Sequence, residues 1–396
     1  MERIFSCVDA RADEYKQLLK DVICMESYTP DKNAVDKVGN YFKAFAEKQG
    51  FNVKVERFEK AGNGLLITWN EDAPLPPVTF TGHMDTVYPV GTFEKPVFRE
   101  KDGKYFGPGV TDMKGGLIVG LLVMRALKDA GWKARPIKFI MIGDEELSEG
   151  LSGEAGKAFI RENARGSAAA ITLEGCTNSG MVTVGRKGSI RYKVYVKGRA
   201  AHAGAYYADG ISAIKEAAHK ILAIEAPSDP DQITYNCGIL TGGTAPNTVP
   251  DEAMFTLYNR YWQMSQRQEI RDHVEGIIAK SYISGTKSTF DIVGERYPMD
   301  ASEGNYALAA HINGVSRKYG FGELKPFIKA SGSDACYTAM AGVPSVCSMG
   351  VIGGNAHTKD EYMEADSLVS RAKLVAAIIA ELPENFGVGA SESNGV

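Results

Sequence analysis

The segment MKGGLIVGLLVMRALKDAG, residues 113–131, does most to limit what this chain can become. Read as a helix it is apolar over most of its surface, so it has to be covered on more than one side, and a sheet provides that cover. The neighbouring runs supply the sheet. FNVKVERF, GLLITWN and PPVTFTG come before it and PIKFIMIG and AAAITLEG after it, all with the β-branched and aromatic content of strands. Helical periodicity runs through residues 8–50 and returns in YALAAHINGVSRKYG and SLVSRAKLVAAIIAEL. Short, continuously apolar strands alternating with helices imply an α/β fold whose sheet is covered on both faces.

Near residue 186 the texture changes. SIRYKVYVKGR alternates as a strand with one wet face does, and a helix follows in DGISAIKEAAHKILAIEA. The strands ITYNCGILTGG and EAMFTLYNRYW, the helix SQRQEIRDHVEGIIAKSY and the strand STFDIVGERY complete a β-α-β-β-α-β order, the split βαβ unit. A chain of 396 residues is longer than one core usually serves. The expectation is a mixed-sheet α/β domain in two parts, 1–185 and 299–396, interrupted by an α+β ferredoxin-like insertion at 186–298. The tail, residues 387–396, has a weakly ordered composition.

Bulk properties exclude several partners. Net charge is −4 with no block of like charges, so no basic surface for nucleic acid is expected. No run approaches the roughly 18 apolar residues of a membrane span, and the charged N-terminus lacks a signal-peptide core. Cys7, Cys24, Cys176, Cys237, Cys336 and Cys347 are scattered without a CxxC pair, which suits a reducing compartment, the cytoplasm.

Acidic residues and histidines gather where apolar runs give out. PPVTFTG leads into His83 and Asp85, PIKFIMIG into Asp144, Glu145 and Glu146, and AAAITLEG into Glu174; PSVCSMG leads through VIGGNA to His357. Ligand sites in α/β sheets lie outside the carboxyl ends of strands, so these groups are placed to converge. Asp112, between a Gly-rich turn and the buried helix, can face the same crevice. Taken alone, Asp112 reads as a helix N-cap, His83 as a hydrogen-bonded loop residue, and residues 144–146 as a solvated first helical turn. Together they are too many charges to bury unpaired, and a divalent metal is the natural counter-charge.

TGHMDTVYP, GPGVTDMKGG, GDEELSEG, TLEG, AAHAG, GGTAPNTVP, SGSDACYTA and GGNAHTKDEYM resemble, in order, the motifs of the M20 family of dinuclear zinc peptidases, and within it the glutamate carboxypeptidase (carboxypeptidase G2-like) branch. The resemblance implies a zinc exopeptidase-like catalytic domain with His83 and Glu174 on one zinc, Glu146 and His357 on the other, and Asp112 bridging them. It implies that Asp85 fixes the His83 tautomer, that Glu145 is the general base, and that the Asp112–Met113 peptide bond is cis. It further implies that the insertion is a lid and homodimerisation domain, bringing His202 and Asn247 as hydrogen-bond donors to the transition state. Arg296 and Ser333, with Arg260 as a further anchor, match positions that hold a terminal carboxylate.

The implied activity is hydrolysis of an amide bond, releasing a C-terminal amino acid from a small peptide or N-acyl amino acid with two Zn2+ per subunit. Such His/carboxylate sites also accept Co2+ or Mn2+. A dipeptidase, aminoacylase or deacetylase of the same family, and a catalytically silent binding homologue, are the alternatives. The Gly-rich GPGVTDMKGG lacks both GxGxxG spacing and a P-loop ending, so nucleotide binding is set aside.

Overall fold

A computed structural model of the chain describes residues 1–147, 150–177 and 180–387. They fall into two compact units, one of Met1–Gly185, Ala301–Lys329 and Ser333–Val396, the other of Arg186–Asp300 and Ala330–Gly332. Ser148, Glu149 and tail residues 388–396 lie outside the described residues.

The first unit begins with helices α1 (Glu2–Ile23) and α2 (Lys32–Lys48), the second capped by the Asp31 carboxylate, which accepts from Ala34 N. Strands β1 (Asn52–Glu56), β2 (Gly62–Trp69), β3 (Val78–His83), β4 (Arg99–Lys101) and β5 (Lys104–Phe106) lead to α3 (Lys114–Asp129). Then come β6 (Ile137–Gly143), α4 (Gly153–Ala164), β7 (Ala169–Thr172) and β8 (Met181–Arg186). The second unit contributes β9 (Gly188–Lys197), β10 (Ala201–His202), α5 (Ala213–Glu225), β11 (Thr234–Gly242), β12 (Thr248–Val249), β13 (Glu252–Tyr261), α6 (Gln266–Ala279) and β14 (Lys287–Arg296). The chain returns to the first unit with α7 (Glu303–Lys318), β15 (Lys325–Lys329), α8 (Ala335–Met340), β16 (Ser345–Val346), β17 (Gly353–Gly354), β18 (Tyr362–Glu364) and α9 (Ser367–Ala380).

The main sheet runs β1-β2-β6-β3-β7-β16 and is mixed. β1, β2 and β6 pair antiparallel, whereas β6, β3, β7 and β16 are parallel. Every residue of β3 is buried, as a strand covered on both faces requires. Helix α3 packs with α1 and α9, and all but three of its residues are buried. It can approach the sheet so closely because of Gly116, where a Cβ would fall 1.8 Å from the Leu173 carbonyl oxygen. The helix expected from residue 113 is therefore the centre of this core. Helix α4 escapes the sequence pattern, since only Gly156, Phe159, Ile160 and Ala164 of it are buried.

In the second unit the sheet order is β11-β13-β9-β14, with every neighbour antiparallel. Burial alternates along β9 and β13, and the buried side packs against α5 and α6 around Tyr192, Val194, Phe255 and Leu257. Lys220 of α5 is wholly buried. It pairs with Glu216 at 3.0 Å and donates to the carbonyls of Ile277 and Ile278 at 2.9 Å, closing the C-terminal end of α6.

Candidate metal centre

The parallel pairing of β3 with β6 and β7 brings three carboxyl ends to one edge of the sheet. His83 ends β3, Asp144–Glu146 follow β6, and Glu174 follows β7. Asp112 comes in ahead of α3. The N-cap of that helix is Met113, so Asp112 is not spent on capping, and the Asp112–Met113 peptide bond is cis. His357 sits in the turn after β17 with a left-handed φ of 65°, a conformation uncommon for a residue with a side chain and often found at functional positions.

The Asp112 carboxylate separates two histidines. Oδ1 lies 3.3 Å from His83 Nε2 and Oδ2 lies 3.2 Å from His357 Nε2. His357 Nε2 is also 3.0 Å from Glu146 Oε2. Ligand-capable atoms of His83, Glu145 and Glu174 lie within 4.8 Å of one another, and so do those of His83, Asp112 and Glu146. The two groups share His83.

Asp85 organises the interior side of the cluster. His83 Nδ1 lies 3.3 Å from its carboxylate and 3.1 Å from its carbonyl oxygen, so Nδ1 carries a proton and Nε2 is the nitrogen turned to Asp112. The same carboxylate accepts from Glu145 N at 3.2 Å, Glu146 N at 3.1 Å and the Thr29 hydroxyl at 2.8 Å. One buried side chain thus aims the imidazole and fixes the backbone of both glutamates. Thr29, far away in sequence, carries no pattern that would have pointed to it.

Negative charge dominates this crevice. Burial together with the charges of Asp112 and Glu145 pushes the Glu146 carboxyl up to about 8, against the hydrogen bond from His357. Hydrogen bonds to Asp112 and Glu146 raise His357 to about 10. Burial opposes protonation of His83, but Asp112 and Asp85 outweigh it and raise this pKa as well. Asp112 is itself drawn below the usual carboxylate range by both histidines, despite its burial. Two imidazoles and a set of carboxylates sharing protons in this way form a donor set suited to divalent cations, so the residues fit a two-metal centre.

Ser333 joins the cluster, donating from Oγ to Glu174 Oε1 at 3.3 Å. Glu361, which the sequence analysis did not single out, is 1% exposed, and its carboxylate accepts from the backbone of the loop carrying Asp112. Burial pushes its pKa up to about 7, against the lowering effect of those N–H bonds. In sequence it is one of two adjacent acids, Asp360 and Glu361, and nothing marks it as the buried one.

The remaining predicted residues belong to the second unit and form two groups there. β10 pairs with β12, and Ala203 N donates to Asn247 O at 2.8 Å, so His202 and Asn247 are neighbours. His202 Nδ1 accepts from Gly204 N at 3.2 Å and Ala205 N at 3.1 Å, which leaves the proton of the neutral ring on Nε2. Arg260 and Arg296 lie on either side of Ser189 in one cross-strand row. Burial and the charges of Arg296 and Arg191 lower the Arg260 pKa, and its guanidinium stacks 4.9 Å from the Tyr258 ring centroid.

Comparison with known proteins points one way. Peptidase family M20/M25/M40 matches residues 79–381. Carboxypeptidase G2 of Pseudomonas sp. (strain RS-16) is 25% identical over 395 residues, covering 94% of this chain and 91% of that protein. Succinyl-diaminopimelate desuccinylase of Gluconacetobacter diazotrophicus is 26% identical, covering 92% and 96%. Among solved structures, aminopeptidase PepT of Bacillus cereus superposes with a TM-score of 0.74 at 23% identity, covering 93% of this chain and 98% of that one. The M20 metallo-carboxypeptidase Sso-CP2 of Sulfolobus solfataricus superposes with a TM-score of 0.71 at 16% identity, with the same coverage, and shows likeness of fold.

Proposed function

Because this chain belongs to peptidase family M20/M25/M40 and is a hydrolytic enzyme of that family, we propose that it cleaves an amide bond to release a C-terminal amino acid, as a carboxypeptidase or N-acyl-amino-acid amidohydrolase. The observation that carries this reading is the Asp112 carboxylate, whose two oxygens face two different histidines at 3.2 and 3.3 Å. A carboxylate placed between two histidines supports the reading of Asp112 as the bridging ligand. His83 and Glu174 would hold one metal and Glu146 and His357 the other, with zinc the expected metal and Co2+ or Mn2+ the substitutes. When bound, such a metal pair acidifies an attacking water and polarises the scissile carbonyl.

The chain's own residues do the rest. Glu145 lies with His83 and Glu174, and its carboxylate takes a proton from the attacking water and returns it to the departing nitrogen. Asp85 keeps that carboxylate in place through the backbone and keeps the proton of His83 on Nδ1. His202 Nε2–H and Asn247 are donors for the oxygen that gains charge, and Arg296, with Arg260 and Ser333, receives the substrate's terminal carboxylate. The cation row on β13 and β14 supports an anionic group at that end.

The reading includes a cytoplasmic homodimer. Cys7, Cys24 and Cys237 are thiols rather than disulfides, and no described helix is long and apolar enough to cross a membrane. β11 is an edge strand whose Ile239 and Leu240 are exposed, beside α5 with Leu222 72% exposed, a surface that a second copy would cover. The test of activity is product analysis on N-acyl amino acids, dipeptides and amidated peptides, with a chelator control. Release of a free C-terminal amino acid, lost on metal removal, is expected. Cleavage that survives full metal removal, or that requires a free amine in place of the carboxylate, would overturn the proposal.

A further inference from the structure

The two loops that carry Asp112 and His357 are joined by one buried side chain. Glu361 lies four residues beyond His357, at the start of the segment entering β18. Its Oε1 accepts from Thr111 N at 2.8 Å and Asp112 N at 2.9 Å, and its Oε2 accepts from Gly109 N at 2.9 Å. The Tyr88 hydroxyl lies 2.9 Å from Oε2 and 2.8 Å from the carbonyl of Thr358, the residue next to His357. Two further bonds reinforce the junction, from Gly107 N to Glu361 O at 3.3 Å and from the Thr111 hydroxyl to Tyr362 O. Three N–H groups converging on one carboxylate form a charge-assisted clamp, and each would be a buried orphan without it.

We propose that Glu361 is a positioning residue of the metal centre, bracing the Asp112 loop against the His357 loop and so setting the separation of the two metal positions. The proposal rests on the two-metal reading given above. Glu361 is not a ligand: its carboxylate is occupied by backbone N–H groups. Its effect falls on the side of the centre that depends on both loops at once, the His357–Glu146 position.

The test is a zinc titration of Glu361→Gln against wild type, with Co2+ absorption spectra and steady-state kinetics alongside. Gln matches the shape, but it has one acceptor oxygen and sets an NH2 group against the loop's N–H donors. The expected result is a first zinc equivalent bound within about threefold of wild type and a second weakened about 10–100-fold, with an altered Co2+ spectrum and a fall in kcat exceeding the change in KM. Tyr88→Phe, which leaves the three N–H bonds in place, is expected to keep both equivalents. A role in folding alone would lower Tm without separating the two equivalents. If wild type takes two equivalents and Glu361→Gln takes both with unchanged affinity and spectrum, the inference is overturned and the two-metal reading stands. Wild type taking only one equivalent would overturn the reading and the inference together. Should the variant fail to fold, hydrogen exchange on metal-free wild type decides: slow exchange at Thr111 and Asp112 supports the clamp, and exchange as fast as in exposed loops removes it.

Discussion

Glu145 and Glu146 are adjacent, identical in type and set among different neighbours. Their backbone amides share one acceptor, Asp85, yet Glu146 pairs with His357 while Glu145 groups with His83 and Glu174. Glu145→Gln preserves shape and removes the base, so turnover is expected to fall by about 10²–10⁴-fold with zinc stoichiometry unchanged; near wild-type activity would remove Glu145 from that role. A pH experiment probes the other side of the pair. In the metal-free protein Glu146 is raised from 4.5 to about 8 and His357 from 6.5 to about 10. The pair, in contact at 3.0 Å, shares its protons and as a unit holds more of them in the folded chain than in the unfolded one. The stability they contribute is complete below their unfolded values and is lost as pH rises through the folded ones. Tm of chelator-treated protein should fall by about 5 °C or more between about pH 6 and 9, while zinc, which binds the deprotonated ligands, protects increasingly over the same range. Parallel curves with and without zinc would count against the shared-proton cluster.

Between elements, two close contacts fix how neighbours pack. Gly116 lets α3 lie directly on the segment that leads from β7 to Glu174, and a methyl group there would meet the Leu173 carbonyl. Gly116→Ala is expected to cost about 3 kcal/mol and to reduce activity through Glu174, readable as a Tm loss together with weaker zinc binding. In the second unit, Lys220 is buried against Glu216 and the end of α6. Removing the cation leaves the buried Glu216 carboxylate without its counter-charge, held only by the backbone N–H groups of Tyr282 and Ile283, so Lys220→Met should destabilise that unit by about 3 kcal/mol in denaturant unfolding. Loss of less than about 1 kcal/mol would show that the pair is replaceable. These elements were legible in sequence to different degrees. α3 announced itself through a long apolar surface, whereas α4 shows only a narrow buried stripe and the short strands β4, β5, β17 and β18 have too few residues to display a period.

For the whole molecule, the expected homodimer gives the remaining prediction. Leu222→Arg combined with Ile239→Lys places charge on the exposed apolar edge of the second unit, and sedimentation should shift from dimer to monomer. A wild-type protein that sediments as a monomer would discard the dimer without touching the chemistry. The apolar periodicities alone determined the α/β class and the β-α-β-β-α-β order, because burial stamps a repeat on any element long enough to show one. The motifs likewise named the acids and histidines that the structure gathers at one sheet edge. What the tertiary structure alone decided is how those residues are arranged around one another. Asp112 turns one oxygen to each histidine, Asp85 holds two successive backbone amides, Thr29 supports Asp85, and Glu361 rather than Asp360 is the acid that goes inside. A side chain's partners across the fold depend on where distant loops meet, and a carboxylate bonded to backbone N–H groups leaves no signature in its own sequence.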